Sequence, residues 1–291
     1  MATTREISRP EVFRLPERGQ LGKLPWWAFI IVATGLLLIY LILANPNYHD
    51  TFVYLQAGIV MTLRITLIAF PIASGIGLVT GLARTSKRVV PYTLATLYVE
   101  LIRGVPLVVL MLYFAFGLVP VGIELVKNLA AWGLTWAENP TLVNLFTSLS
   151  DPNLIRKIPD DMRAIIALAF GYGAYEAEVF RAGIQSIGKG QMEAARSLGM
   201  SYFQAMRLII LPQAIRRVLP PLGNDFIALL KDSSLATVLA VNELTQMGRL
   251  RRSSTFRVME TFNVVAFLYL AMTLLLSGVV RVMERRLKIE E

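Results

Sequence analysis

The sequence predicts an all-α, polytopic membrane protein, and three observations carry that prediction. Of the 291 residues 55% are hydrophobic, and several apolar runs reach the roughly 20 residues a helix needs to cross a bilayer. The runs are continuous rather than alternating, which argues against a β-barrel. The basic residues behind the net charge of +9 fall at the ends of the runs, as the positive-inside rule produces. No basic stripe with interleaved aromatics occurs, so the charge does not point to nucleic acid. The chain has no cysteine and one histidine, which leaves no disulfide framework and no thiolate metal site. His49, within NPNYHD, reads as a surface residue of a short linker.

Taken in order, residues 1–24 are polar, carry Arg5, Arg9, Arg14, Arg18 and Lys23, and read as a cytoplasmic tail. Pro25, Trp26 and Trp27 open the first span, 25–44, at an interface. The long preceding tail and the lack of a small-x-small site favour a retained anchor over a cleaved signal peptide. The second span, 52–83, contains Pro71; its Gly75, Gly77 and Gly81 offer surfaces for close helix approach. Arg84, Lys87 and Arg88 follow it. The third span is 91–118. In 119–163, Leu125, Leu129, Trp132 and Trp136 recur at helical spacing, which predicts an interfacial or external helix. The fourth span is 164–187. A polar loop follows, then a fifth apolar region, 214–244, expected to break at Pro220-Pro221 and again at Lys231-Asp232-Ser233. The last span is 262–282.

Six spans put both termini on one side. The segments this assigns to the cytoplasm hold seventeen Lys and Arg against eight outside, which supports the orientation. Arg249, Arg251, Arg252 and Arg257 go against the rule; on the outer side they are expected to face a partner protein.

Charges within spans are costly and are functional candidates by default. Glu100 and Arg103 lie at i, i+3 and can pair on one helical face; alternatively Arg103 meets a substrate carboxylate, which its guanidinium fork suits. Glu178 and Arg181 can pair in the same way. Glu176 has no local partner and is expected to face a path for an ammonium or a cationic side chain. Asn224, Asp225, Lys231 and Asp232 lie in the interrupted fifth region, either lining a cavity or forming a kinked helix with a Lys-Asp pair. The string Gly183 to Gly190, GIQSIGKG, nearly matches a phosphate loop. It has Gly190 where Ser or Thr should hold magnesium, and no strand precedes it. Nucleotide binding by this chain is rejected on that ground, and neither a catalytic triad nor a metal cluster is spaced for use.

The loop 188–212 is the most specific feature. Glu193, Ala194 and Ala195 are strong helix formers, and Gly199 suits a left-handed helix stop. A second amphipathic run ends at Pro212. With Ile209, Leu211 and Pro212, these residues fill every position of the pattern EAA, three residues, Gly, nine residues, Ile-x-Leu-Pro. That pattern resembles the signature loop of the membrane subunits of ABC importers. The flanks GKGQ and LPPLGNDFIALLKDSSLA look like the polar-amino-acid branch, and VELIRGVP is similar to its RGTP element, with Val105 in place of Thr. The resemblance covers about 54–288.

It implies a type I importer fold of five core transmembrane helices plus one extra N-terminal helix. The importer domain would be 52–288, with an external insertion at about 119–160 and a cytoplasmic coupling loop at about 188–212. It implies amino-acid uptake across a prokaryotic cell membrane by a non-catalytic subunit with both termini cytoplasmic. Two such subunits, identical or paralogous, would form the path. Two ATPase subunits would carry ATP and magnesium, and an external binding protein would deliver substrate. Glu193, Ala194, Ala195, Arg196, Gly199 and Met200 would couple to the ATPase. Glu100, Arg103, Tyr175, Glu176, Asn224, Asp225 and Lys231 are the candidates for substrate. Two alternatives are an importer of another small polar solute and an ion-coupled transporter working alone; the second leaves the signature loop unexplained.

Overall fold

The computed structural model describes residues 26–287; the tail 1–24 lies outside them, as do Pro25 and Lys288. The described residues are all-helical: α1 (Trp26–Ala44), α2 (Pro46–Arg84), α3 (Val89–Arg103), α4 (Leu107–Tyr113), α5 (Val119–Leu134), α6 (Pro140–Leu149), α7 (Asp160–Gln185), α8 (Lys189–Ser197), α9 (Tyr202–Ala205), α10 (Leu211–Asp232), α11 (Leu244–Thr255) and α12 (Val258–Leu287). Single π turns, Phe114–Leu118 and Met206–Ile210, run α4 into α5 and α9 into α10; a 3-10 segment, Ser233–Leu239, continues α10.

Among the described residues four helices are long and apolar enough to cross a membrane: Trp26–Ala44, Pro46–Arg84, Leu107–Leu134 and Val258–Arg285. The protein is therefore multi-pass. The charge-bearing α7 and α10 are not among the four. α7 is nonetheless the most enclosed helix, with fourteen buried residues, because α2, α3, α4 and α10 pack around it.

The frame of the molecule is α2 beside α7. They run parallel: Arg64 pairs with Asp161 at 3.2 Å near one end, and Arg84 pairs with Glu178 near the other. Two glycines four residues apart allow this closeness. A Cβ on Gly77 would stand 2.8 Å from the Glu176 Cβ, and one on Gly81 2.8 Å from the Phe180 Cβ. Gly75, expected to share that role, faces open space.

The main core joins Ile65, Ala69 and Ala73 of α2 to Ile165 and Leu168 of α7, Met111 of α4 and Leu229 of α10. A second cluster, Ile42, Leu55, Leu244, Val264 and Leu268, fastens α1, α11 and α12 to the first half of α2. A third, Ile184, Ile187, Ile210 and Ala214 with Leu82, holds the loop after α7 to the far end of α2. Gly58 meets Leu244. From Gly58 to Leu82 a helix rises about 36 Å. The signature loop and α11 thus sit at opposite ends of the bundle, separated by roughly the 30 Å of a hydrocarbon core.

Several boundaries differ from the sequence-based expectation. The 45–51 linker is almost entirely helix: Asn45 caps α2, its side chain accepting from Asn47 N at 2.9 Å, so His49 is an exposed residue of the first turns. The third span, expected as 91–118, is two helices that break at Gly104–Pro106, where the residue before proline avoids helical geometry. The second of them runs on to Leu134. Pro220-Pro221 does not interrupt α10; the interruption falls at Ser233. Pro212 ends nothing, since it sits in the first turn of α10, where a missing N–H costs little.

Candidate functional site

Two regions carry chemistry. One is a polar strip along α7, and the other is the loop from α8 to α10.

The strip begins at Arg103, at the end of α3. Its side chain is 43% exposed, and Nη1 lies 3.6 Å from Glu178 Oε1. Its guanidinium stands over the Tyr175 ring, 5.5 Å from the centroid, within cation–π reach. Tyr175, 39% exposed, neighbours Tyr172, with ring centroids 6.2 Å apart. The Tyr172 hydroxyl donates to Asp232 Oδ2 at 2.8 Å. The strip thus runs from a guanidinium, over two phenol rings, to a carboxylate where α10 gives way to the 3-10 segment. A cationic end and an anionic end thus share one partly open surface.

The sequence reading of the ion pairs is partly corrected. Glu100 and Arg103 do not pair with each other. Glu100 instead faces Arg84 at 3.7 Å, and Glu178 binds Arg84 and Arg103 together with the expected Arg181, whose Nε donates at 2.7 Å. Arg84 comes from a helix 94 positions away in sequence, so no local spacing could signal it. Glu178, passed over as a structural partner, is the centre of the cluster.

Glu176 is corrected more strongly. It was expected to face the path, but it is fully buried against Gly77 of α2. Its two carboxyl oxygens are buried beside the Ser74 hydroxyl and near the Asp225 carboxylate, so three helices bring polar atoms together in the interior. Asn224 and Lys231 are exposed. Lys231 makes no ion pair among the described residues, and Asp232 takes Tyr172 rather than the lysine beside it. Tyr172 is the strip residue that sequence reasoning left out, having no signal beyond its place in an aromatic-rich span; Asp232 was singled out in the fifth region, but with Lys231 rather than Tyr172 as its partner.

In the signature loop, α8 spans Lys189–Ser197, four residues earlier than the expected start at Glu193. Gly199 adopts φ +81°, the left-handed stop anticipated, and open space surrounds it. Backbone conformation alone therefore requires glycine there. Arg196 Nη1 donates to the Met200 carbonyl at 2.9 Å across that turn. Ser201 and Gln204 then form a capping box that starts α9. Ala195 is buried toward the bundle, while Glu193, Ala194 and Arg196 face outward. Leu198 is 83% and Phe203 70% exposed, a large apolar display on a rigidly capped polar loop.

Among the described residues no group of three or more His, Asp or Glu could hold a metal. A multi-pass helical subunit with a polar strip through its bundle and a structured loop at one end has the form of a transport protein. The chain belongs to the family described as binding-protein-dependent transport system inner membrane component, which residues 73–289 match. It is an ABC-importer permease subunit, a membrane-embedded transport component rather than an enzyme. It is 36% identical over 232 residues to the glutamine transport system permease protein GlnP of Escherichia coli K12, covering 80% of this chain and 92% of that one. It is 38% identical over 227 residues to the probable glutamine ABC transporter permease protein GlnM of Bacillus subtilis, covering 77% and 90%. A crystal structure of an amino acid ABC transporter with histidines superposes with a TM-score of 0.64 at 35% identity, over 84% of this chain and 98% of the other.

Proposed function

We propose that this chain is the translocating subunit of an amino-acid importer, in which five core spans and the extra helix α1 cross the inner membrane with both termini cytoplasmic. The signature loop then lies in the cytoplasm and α11 outside. Two copies, or one copy and a paralogue, enclose the path; two ATPase chains supply ATP and magnesium; an external binding protein hands over substrate. The observation that carries this reading is the capped loop of α8 and α9. Its outward face, Glu193, Ala194, Arg196, Gly199 and Met200 with Leu198 and Phe203, is displayed on the end opposite α11. That display fits a groove on an ATPase. The relatives' printed substrates, glutamine among them, support the amino-acid class. Arg103 takes the α-carboxylate over Tyr175. Asp232 stands toward the ammonium end, while Asn224 and Lys231 contribute the exposed polar surface of α10.

The test is ATP hydrolysis and uptake by the reconstituted complex carrying Gly199→Asp. At φ +81° any side chain adds strain, less for Asp than for most residues, and the substitution also places a carboxylate on the exposed turn. Substrate-stimulated hydrolysis should fall at least fivefold while the subunit still inserts and assembles. Full coupling in that variant rules out this loop as the transmitting element.

A further inference from the structure

The open side of α7 does not end at Tyr175. Tyr175, Val179, Ala182 and Ser186 follow one another at spacings of four, three and four residues, so they share one side of the helix. On α10 Gln213, Arg217, Asn224 and Lys231 do the same at spacings of four, seven and seven, opposite the buried Ala214, Val218, Leu222 and Leu229. A polar side running the length of α10 faces water rather than lipid. The two helices cross at Gly183, where a Cβ would collide with the Val218 side chain. Beside that crossing lies an open cleft of about 380 Å³, lined by Val179, Ala182, Gly183, Ser186, Arg217 and Pro221. Its size falls within the roughly 300–1,000 Å³ of small-molecule clefts.

Arg217 stands at the end of this cleft nearer the signature loop. Its Nη1 donates to the Ser186 carbonyl at 2.6 Å, which fixes the guanidinium where α7 gives way to the loop. No carboxylate among the described residues pairs with it. A guanidinium carries five N–H donors in a rigid fork, so the bond to Ser186 leaves most of the fork for a ligand. The other lining residues are uncharged, and most are small. Tyr175, under Arg103, and Ser186, against Arg217, are eleven residues apart on α7, a rise of about 17 Å. One open helix side thus carries a guanidinium at each end, and the two offer the same carboxylate successive seats. An anionic lipid would need this side of α10 to face hydrocarbon, which Asn224 and Lys231 oppose.

We propose that this cleft is a second amino-acid site, open to the cytoplasm, in which Arg217 takes the α-carboxylate of the imported product. Product that accumulates inside then occupies the site and slows its own uptake. This rests on the importer reading above, and the experiment separates the two. The assembled complex is placed in phosphatidylcholine liposomes with ATP inside and the binding protein outside. The twenty amino acids are screened for uptake, and the one taken up fastest is the probe. Liposomes are then loaded with rising concentrations of that amino acid, and initial uptake of the labelled probe is scored against the same variant's rate in empty liposomes. Lumenal probe should inhibit the wild type, and its α-amide, which lacks the carboxylate, should need about tenfold more. Arg217→Gln keeps a donor for the Ser186 carbonyl and loses the charge. It should raise the half-inhibiting concentration about tenfold, the loss of one charged hydrogen bond. Ala182→Leu, which fills the cleft from an exposed position and leaves Arg217 in place, should raise it as well and guards against misfolding. A wild type that lumenal probe fails to inhibit overturns the second site, as does an α-amide as potent as the amino acid. So do half-inhibiting concentrations unchanged in both variants. A shift that appears only when phosphatidylglycerol is added also overturns it and makes the cleft a lipid site. A wild-type complex that takes up none of the twenty overturns the importer reading itself.

Discussion

Replacing Gly81 with alanine tests the frame on which the whole site is hung. A Cβ there would lie 2.8 Å from the Phe180 Cβ, 2.9 Å from the Ala177 carbonyl oxygen and 3.2 Å from Arg181 N. Two of these are backbone atoms, so no rotamer change relieves the clash. An ordinary Cβ contact is 3.4–4 Å, so α2 and α7 must separate by roughly 0.6–1.2 Å, and overpacking of this kind costs about 1–3 kcal/mol. Alanine also raises helix propensity by about 1 kcal/mol, which would mask part of that cost. Gly75→Ala supplies the control. It lies on the same helix, gains the same propensity and meets nothing within 4 Å. The difference between the two variants therefore isolates the clash. By the scaling of domains of 150–250 residues, about 2–4 °C per kcal/mol, Gly81→Ala should melt roughly 2–12 °C below Gly75→Ala. The assay is thermal unfolding of the purified subunit in one detergent, with ATP-driven uptake measured alongside, because separation of the helices also pulls Arg84 from Glu178. A Gly81→Ala protein that melts at or above Gly75→Ala would show that the close approach of α2 and α7 does not carry the bundle.

Other outcomes follow from the same geometry. Arg103→Ala should weaken substrate binding to the membrane domain by roughly ten- to a hundredfold, the loss of one charged hydrogen bond of about 1.5–3 kcal/mol. Exchanging Glu100 and Arg103 should not restore uptake, because the two do not pair; rescue by the swap would return Arg103 to a structural role. Glu176→Gln should leave selectivity among cationic, neutral and acidic amino acids unchanged and hold or raise the melting temperature. It replaces a buried carboxylate that forms no ion pair among the described residues, and a changed selectivity would mean that Glu176 reaches substrate. Single cysteines at Pro140 and Gly190, introduced into a chain that has none, should react with an impermeant thiol reagent from outside and only from inside, respectively. External labelling at 190 would invert the topology.

The sequence by itself determined what depends on a few neighbouring residues. Hydropathy over about twenty positions marked α1, α2 and α12, because backbone polarity forces any lipid-embedded segment to be helical. The left-handed turn at Gly199 was legible because only glycine takes φ +81° without strain. Glu178 with Arg181 followed from an i, i+3 spacing. Tertiary structure decided everything that needs a second helix. It gave Glu178 to Arg84, sealed Glu176 behind Gly77, left Glu100 and Arg103 apart and joined Tyr172 to Asp232 across 60 positions. It also kept α10 continuous through Pro220 and Pro221. The reason in each case is register. Gly77 and Gly81 set how closely and at what height α2 meets α7, and that height chooses which charged side chains come within reach. Hydropathy and helical period describe one helix at a time and carry no information about the depth at which two helices meet.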